Sequence, residues 1–119
     1  MTPEHLRDFC LALPQAIETF PFGDALSVFK TSANNKIFVL SSLADVPLSL
    51  SLKVDPEDSI SLREEFPDIT PGYHLNKKHW ISIVTNAGVP DDLVEDLIRG
   101  SHDLVRPNIP RARSGSGAG

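Results

Sequence analysis

The run Leu48-Ser49-Leu50-Ser51-Leu52-Lys53 alternates without a break between apolar and polar side chains. Successive side chains of a strand point to opposite faces, so this segment builds a sheet with one greasy face and one wet face. Parallel sheets are buried on both sides and read as continuous apolar runs. Strict alternation selects an antiparallel sheet with helices packed on one face only. Leu26–Thr31 and Lys36–Ser41 are further strands, rich in Val, Ile and Phe, and residues 16–20 form a weaker one. Ser32-Ala33-Asn34-Asn35 joins the two stronger runs, and asparagine tolerates the positive φ that a hairpin turn requires. His79–Val84 reads as the last strand. If Ile81 and Ile83 face the core, Trp80 and Ser82 share the open face with Ser49, Ser51 and Lys53, although a slip of one residue would reverse every side chain.

Three helices are signalled. Thr2 caps the first, Pro3 suits its first position, and Leu6, Phe9, Cys10 and Leu13 fall at helical spacing before Pro14 ends it. Asp55-Pro56 opens the second as N-cap and first-turn proline, followed by acids that the helix dipole favours; Pro67 stops it after Phe66. Pro90 starts the third, where Leu93, Val94, Leu97, Ile98, Leu104 and Val105 form a broad apolar face that Gly100 is expected to bend or divide. Pro71-Gly72 reads as a type II turn, with Gly72 needed for that turn alone. Helix, several strands, helix, strand, helix is the order of an α+β two-layer sandwich, not of a doubly wound fold. The chain divides into one domain over residues 1–106 and a basic Ser/Gly tail over 107–119, expected to be disordered.

One cysteine, Cys10, excludes an internal disulfide and a thiolate zinc cluster built by one chain; on the buried stripe of its helix it reads as an inert small hydrophobe. The N-terminus lacks the marks of a signal peptide, and no apolar run approaches the roughly 18–20 residues of a membrane span. A cytoplasmic protein with no membrane role, either a monomer or a weak dimer, is the expectation.

Net charge is −5, the wrong sign overall for a nucleic-acid binder. The total hides a division: 54–70 and 91–99 are acidic, whereas 71–90 holds Lys77 and Lys78 with no acid. Lys30, Lys36 and Lys53 fall on or beside strands. His74 and His79 match no common metal-ligand spacing, and there is no G-x-S-x-G elbow, H-E-x-x-H, P-loop or dinucleotide glycine fingerprint. The chain therefore reads as a non-enzyme that uses no cofactor.

The segment Pro71-Gly72-Tyr73-His74-Leu75-Asn76-Lys77-Lys78-His79-Trp80 resembles the signature of the MmcQ/YjbR family. The resemblance extends through Pro21-Phe22-Gly23, Val28-Phe29-Lys30, Lys36-Ile37-Phe38, Leu52-Lys53 with Asp55-Pro56-Glu57, Leu62-Arg63, and Ser101 with Leu104-Val105, covering residues 1–106. Val54 departs from a frequent cysteine, and His102 from a tyrosine after the serine. The resemblance implies a frataxin-like (CyaY-like) sandwich and a DNA-binding role.

On this reading Lys30, Lys53, Lys77 and Lys78 contact phosphates, Asn76 and His74 add hydrogen bonds, and Tyr73 or Trp80 stacks on bases. The bland readings stand beside it. The lysines could be a solvated loop guarding a strand edge, Asn76 could satisfy its own loop, and Trp80 could anchor a core or rim. DNA is thus one expected partner. The alternative is a protein partner bound by the same loop or sheet face, with no nucleic-acid role. A third, lesser reading is a small-molecule or enzyme site on Tyr73, His74, Asn76 and Lys77, which lacks a recognisable nucleophile–base pairing.

Overall fold

The computed structural model describes residues 1–72 and 75–107. Its elements run α1 (Pro3–Leu11), β1 (Ala16–Thr19), β2 (Ser27–Thr31), β3 (Ile37–Ser41), β4 (Ser49–Lys53), α2 (Pro56–Glu65), β5 (Ile69–Pro71), β6 (Trp80–Val84) and α3 (Asp91–Val105). The strands form one sheet in the order β1-β2-β3-β4-β6-β5, each pair antiparallel. This is an α+β fold, as the order of helices and strands in the sequence implies.

Register decides which side chains share a face. Phe29 opposes Val39, Val39 opposes Leu52, Leu52 opposes Ile81, Leu50 opposes Ile83, and Ile83 opposes Ile69. All are buried, together with Leu6 and Cys10 of α1 and Val94, Ile98 and Val105 of α3. Leu62 and Phe66 pack against the same cluster from α2 and its end. The three helices thus cover one side of the sheet. Each fully buried Leu, Ile or Phe contributes about 1.5–3 kcal/mol relative to exposure.

A β-bulge interrupts the regular pairing. Lys30 opposes Ile37 while Phe29 opposes Val39, which leaves Phe38 as an extra residue in β3. Phe38 is fully buried and meets the edge of the His102 ring at 5.2 Å. Buried Ser101 serves the strand backbone beside the bulge: its hydroxyl donates to the Phe38 carbonyl (2.7 Å) and accepts from the Lys53 N–H (2.9 Å). His102 is itself buried, and its Nε2 is bonded to the Pro14 carbonyl at 2.8 Å.

Polar ties fix the periphery. The His5 N–H donates to Thr2 Oγ1, the expected cap of α1. Arg7 grips Glu18 of β1 through two nitrogens at 2.9 and 3.1 Å, and Ser27 donates to the same carboxylate. In the β2–β3 turn Asn35 takes φ 60°, and Asn34 donates to the Val105 carbonyl at the end of α3. Two adjacent asparagines therefore make the turn and also cap a distant helix.

Several expectations change. Pro71 ends an edge strand, β5, rather than opening a type II turn, and the Gly72 N–H donates to the Trp80 carbonyl at 2.8 Å. Proline is tolerated there because an edge strand has one unpaired side. α3 runs unbroken through Gly100, and Leu104 is exposed rather than part of the apolar face. Asp55 occupies the N-cap of α2 without a side-chain cap bond. The side of the sheet away from the helices is also not uniformly wet: Val28, which pairs with Leu40 on that side, is fully buried. The tail expected to be disordered lies, beyond Pro107, outside the described residues.

Candidate functional site

The open side of the sheet divides into two ends of different chemistry. β2 and β4 run in the same direction, and β3 and β6 run against them. Lys30 and Lys53 lie near the C-terminal ends of β2 and β4, Lys36 lies just before β3, and Lys77 and Lys78 just before β6. Every lysine of the chain is therefore brought to the same end of the sheet. Lys30 opposes Ile37 and Lys53 opposes Trp80, and neither pair lies on the core side defined by Phe29, Val39, Leu52 and Ile81. The alternation expected for Trp80, Ser82, Ser49, Ser51 and Lys53 is the one observed.

Lys30, Lys53 and Trp80 are half-buried, whereas Lys36, Lys77 and Lys78 are exposed. Half-burial of a lysine on a sheet lets its apolar stem cover neighbours while the ammonium reaches water. None of the five lysines takes part in an ion pair among the described residues, although Arg7, Arg99 and Arg106 each do. Lys77 Nζ lies 3.4 Å from the Gly72 carbonyl, its one described hydrogen bond. Acids also stand in sequence beside this end: Asp55, Glu57 and Asp58 follow Lys53 directly into the first turn of α2, where they are exposed.

The loop before β6 is built by its own polar groups. The Lys78 N–H donates to Asn76 Oδ1 at 2.9 Å, the His79 N–H donates to the Asn76 carbonyl at 3.2 Å, and the Val54 N–H donates to the His79 carbonyl at 2.8 Å. Asn76 thus satisfies its own loop with its side-chain oxygen, the local bond that asparagine offers at turns. Trp80 is half-buried on the open side and is not a core residue; it opposes Lys53 across the β4–β6 pair. Tyr73 and His74, both expected at the site, lie outside the described residues.

Towards the opposite end of the open side lies a concavity of about 670 Å³, whose wall also takes in Leu75 of the loop before β6. Leu40, Ser51, Ser82 and Val84 supply its sheet wall, and Phe22 and Leu26, from the segment before β2, supply another. Ser51 and Ser82 oppose each other and their hydroxyls are 2.7 Å apart. Nothing in the alternation of Leu48–Lys53 announces this hollow. The one sequence sign of it is Phe22, an aromatic residue in a turn that remains 69% exposed.

Among the described residues, no cluster of His, Cys, Asp and Glu is placed to hold a metal ion. Burial pushes the Cys10 thiol up to about 12, with repulsion from Glu18 adding to it, which leaves it a small hydrophobe on the buried face of α1. No helix among the described residues is long and apolar enough to cross a membrane.

The chain is similar to proteins of this architecture. It is 43% identical over 103 residues to the protein YbdF of Escherichia coli O157:H7, covering 86% of this chain and 82% of that one. It is 26% identical over 113 residues to YjbR of Escherichia coli K12, covering 95% and 94%. The crystal structure of Deinococcus radiodurans protein DR2400 superimposes with a TM-score of 0.84 at 43% identity, over 94% of this chain and 85% of that one. A crystal structure from Pseudomonas syringae follows with 0.78 at 29% identity, over 89% and 100%. The family model described as YjbR matches residues 11–104, and the chain belongs to the YjbR family.

Proposed function

We propose that the protein binds nucleic acid weakly and with little sequence preference, through the lysine-bearing end of its open sheet side. The observation that carries this reading is the gathering of all five lysines at that end with no carboxylate partner among the described residues. Unpaired ammonium groups on one end of a molecule with net charge −5 form a local anion site inside an overall repulsive field. Lys30 and Lys53 project from strands, so their spacing is rigid; Lys77 and Lys78 extend the same end from the loop. Trp80, beside Lys53, offers a ring face for an unpaired base.

The acids at the start of α2 limit the reach of this surface. With Asp55, Glu57 and Asp58 next to Lys53, the net effect amounts to about three neutralised phosphates, which gives a slope of log affinity against log salt near −3 on duplex DNA. Such a surface supplies contact with the backbone and no base code.

The test is fluorescence anisotropy with labelled single- and double-stranded oligonucleotides over a salt series, for the parent and for Lys77→Ala/Lys78→Ala. Both lysines are exposed, so the double variant keeps the fold. Binding at low salt that weakens along the expected slope, and a slope shallower by about 1–2 in the variant, supports the reading. No binding at low salt, or an unchanged slope in the variant, refutes it.

A further inference from the structure

The concavity towards the other end of the open side calls for a different ligand. Its volume of about 670 Å³ lies within the roughly 300–1,000 Å³ of small-molecule sites, which are mostly apolar with a few placed polar groups. Leu26, Leu40, Leu75 and Val84 give it apolar walls, and the serines of β4 and β6 give it hydroxyls. Of its fourteen described lining residues, one carries a charge: Asp45. Asp45 is exposed and in no ion pair among the described residues. Phe22, at 69% exposure, presents a ring of the kind that attracts cations over its face.

An acid without a base in an apolar hollow selects by sign. A carboxylate or phosphate ligand would meet Asp45 with no compensating cation among the described lining residues, whereas an ammonium would meet both a carboxylate and an aromatic face. The sheet side is therefore electrically divided, with the lysines at one end and an acid-bearing apolar hollow towards the other. The geometry points to a binding site for a small amphipathic amine, a molecule with an apolar body filling the hollow between Phe22, Leu40 and Val84 and a single ammonium paired with Asp45. Because Asp45 is exposed and screened by salt, its contribution to selectivity is modest, about three- to tenfold for an amine over a carboxylate at low ionic strength.

No lysine is among the described lining residues, so the hollow is tested without changing Lys77 or Lys78, and its failure is distinct from a failure of nucleic-acid binding. The probes are 4-phenylbutylamine, 4-phenylbutyrate and 4-phenylbutanol, which share one apolar body and differ in charge. Each is titrated into the isotope-labelled full chain and followed by proton–nitrogen correlation spectra. The amine is expected to displace the amide signals of Leu40, Asp45, Ser51 and Val84, with an affinity about three- to tenfold above that of the butyrate. Asp45→Asn should bring amine and butyrate level while leaving the alcohol unchanged. The inference is overturned if no probe moves those signals at concentrations of about 10 mM, a very weak limit. It is equally overturned if the butyrate binds as well as the amine to the parent, or if Asp45→Asn leaves the preference intact.

Discussion

Gly72 lies so close to Trp80 that a Cβ added to it would stand 2.6 Å from the Trp80 Cβ and 3.1 Å from the Trp80 carbonyl oxygen. The pair closes the β5–β6 ladder one step beyond Pro71 and Ile81, through the Gly72 N–H bond to the Trp80 carbonyl. Glycine is required here by close approach of two backbones, at the residue where the sheet passes into the lysine-bearing loop.

Gly72→Ala should therefore destabilise the protein by about 1–3 kcal/mol, because the strand or the indole must shift to admit a methyl group. Urea unfolding followed by far-ultraviolet circular dichroism measures the loss, and a changed emission maximum of Trp80, the single tryptophan, reports the displaced ring. A methyl group at Gly23, by contrast, would meet nothing within 4 Å, but Gly23 holds φ 104°, so substitution there acts through backbone strain alone.

Ser101→Ala should cost about 2–3 kcal/mol, more than a surface serine. The change strips the Lys53 N–H of its acceptor and the Phe38 carbonyl of a donor at a fully packed position. The denaturation midpoint should fall with an unchanged dependence on denaturant, as expected of a two-state loss without a change in exposed surface.

Cys10 sets a limit at high pH. Its folded pKa of about 12 lies above the 9.0 of the free thiol, so above pH 9 the unfolded chain releases a proton that the native one retains. The native state then binds more protons, and stability falls as pH rises from about 9 towards 12. Below pH 9 the thiol contributes no pH dependence. Cys10→Ala should flatten the stability–pH curve in that window, and in the native parent a thiol reagent at pH 8 should react far more slowly than after unfolding.

The alternation in Leu48–Lys53 is enough to foresee the antiparallel sheet with one helix-covered side and Lys53 on the other, and Ile81 and Ile83 in His79–Val84 place Trp80 beside it. Local rules also locate the α1 cap and the Asn34-Asn35 turn, since these depend on a few neighbouring residues. β5 is illegible for a physical reason: three residues containing a proline carry no alternation, and Ile69–Pro71 is a strand because β6 supplies its partner. Gly100 fails to divide α3 because helix propensity is a weak prior that tertiary packing of Val94, Ile98 and Val105 overrides. At the site, Lys77 and Lys78 stand out as neighbours in sequence. Lys36 does not, because it shares their end of the sheet only once β3 and β6 are laid down, on either side of β4, with their starts at the same end. The hollow beside Phe22 depends on how the segment before β2 folds over the sheet, a long-range relation with no local signature.

The most direct test of the central claim is to map where an oligonucleotide touches the isotope-labelled chain. Backbone amide signals of Lys30, Lys53, Lys78 and Trp80 should move together on titration with a short DNA strand at low salt, while those of α2 and α3 stay in place. Movement centred on the helix-covered side, or none at any residue, would contradict the account.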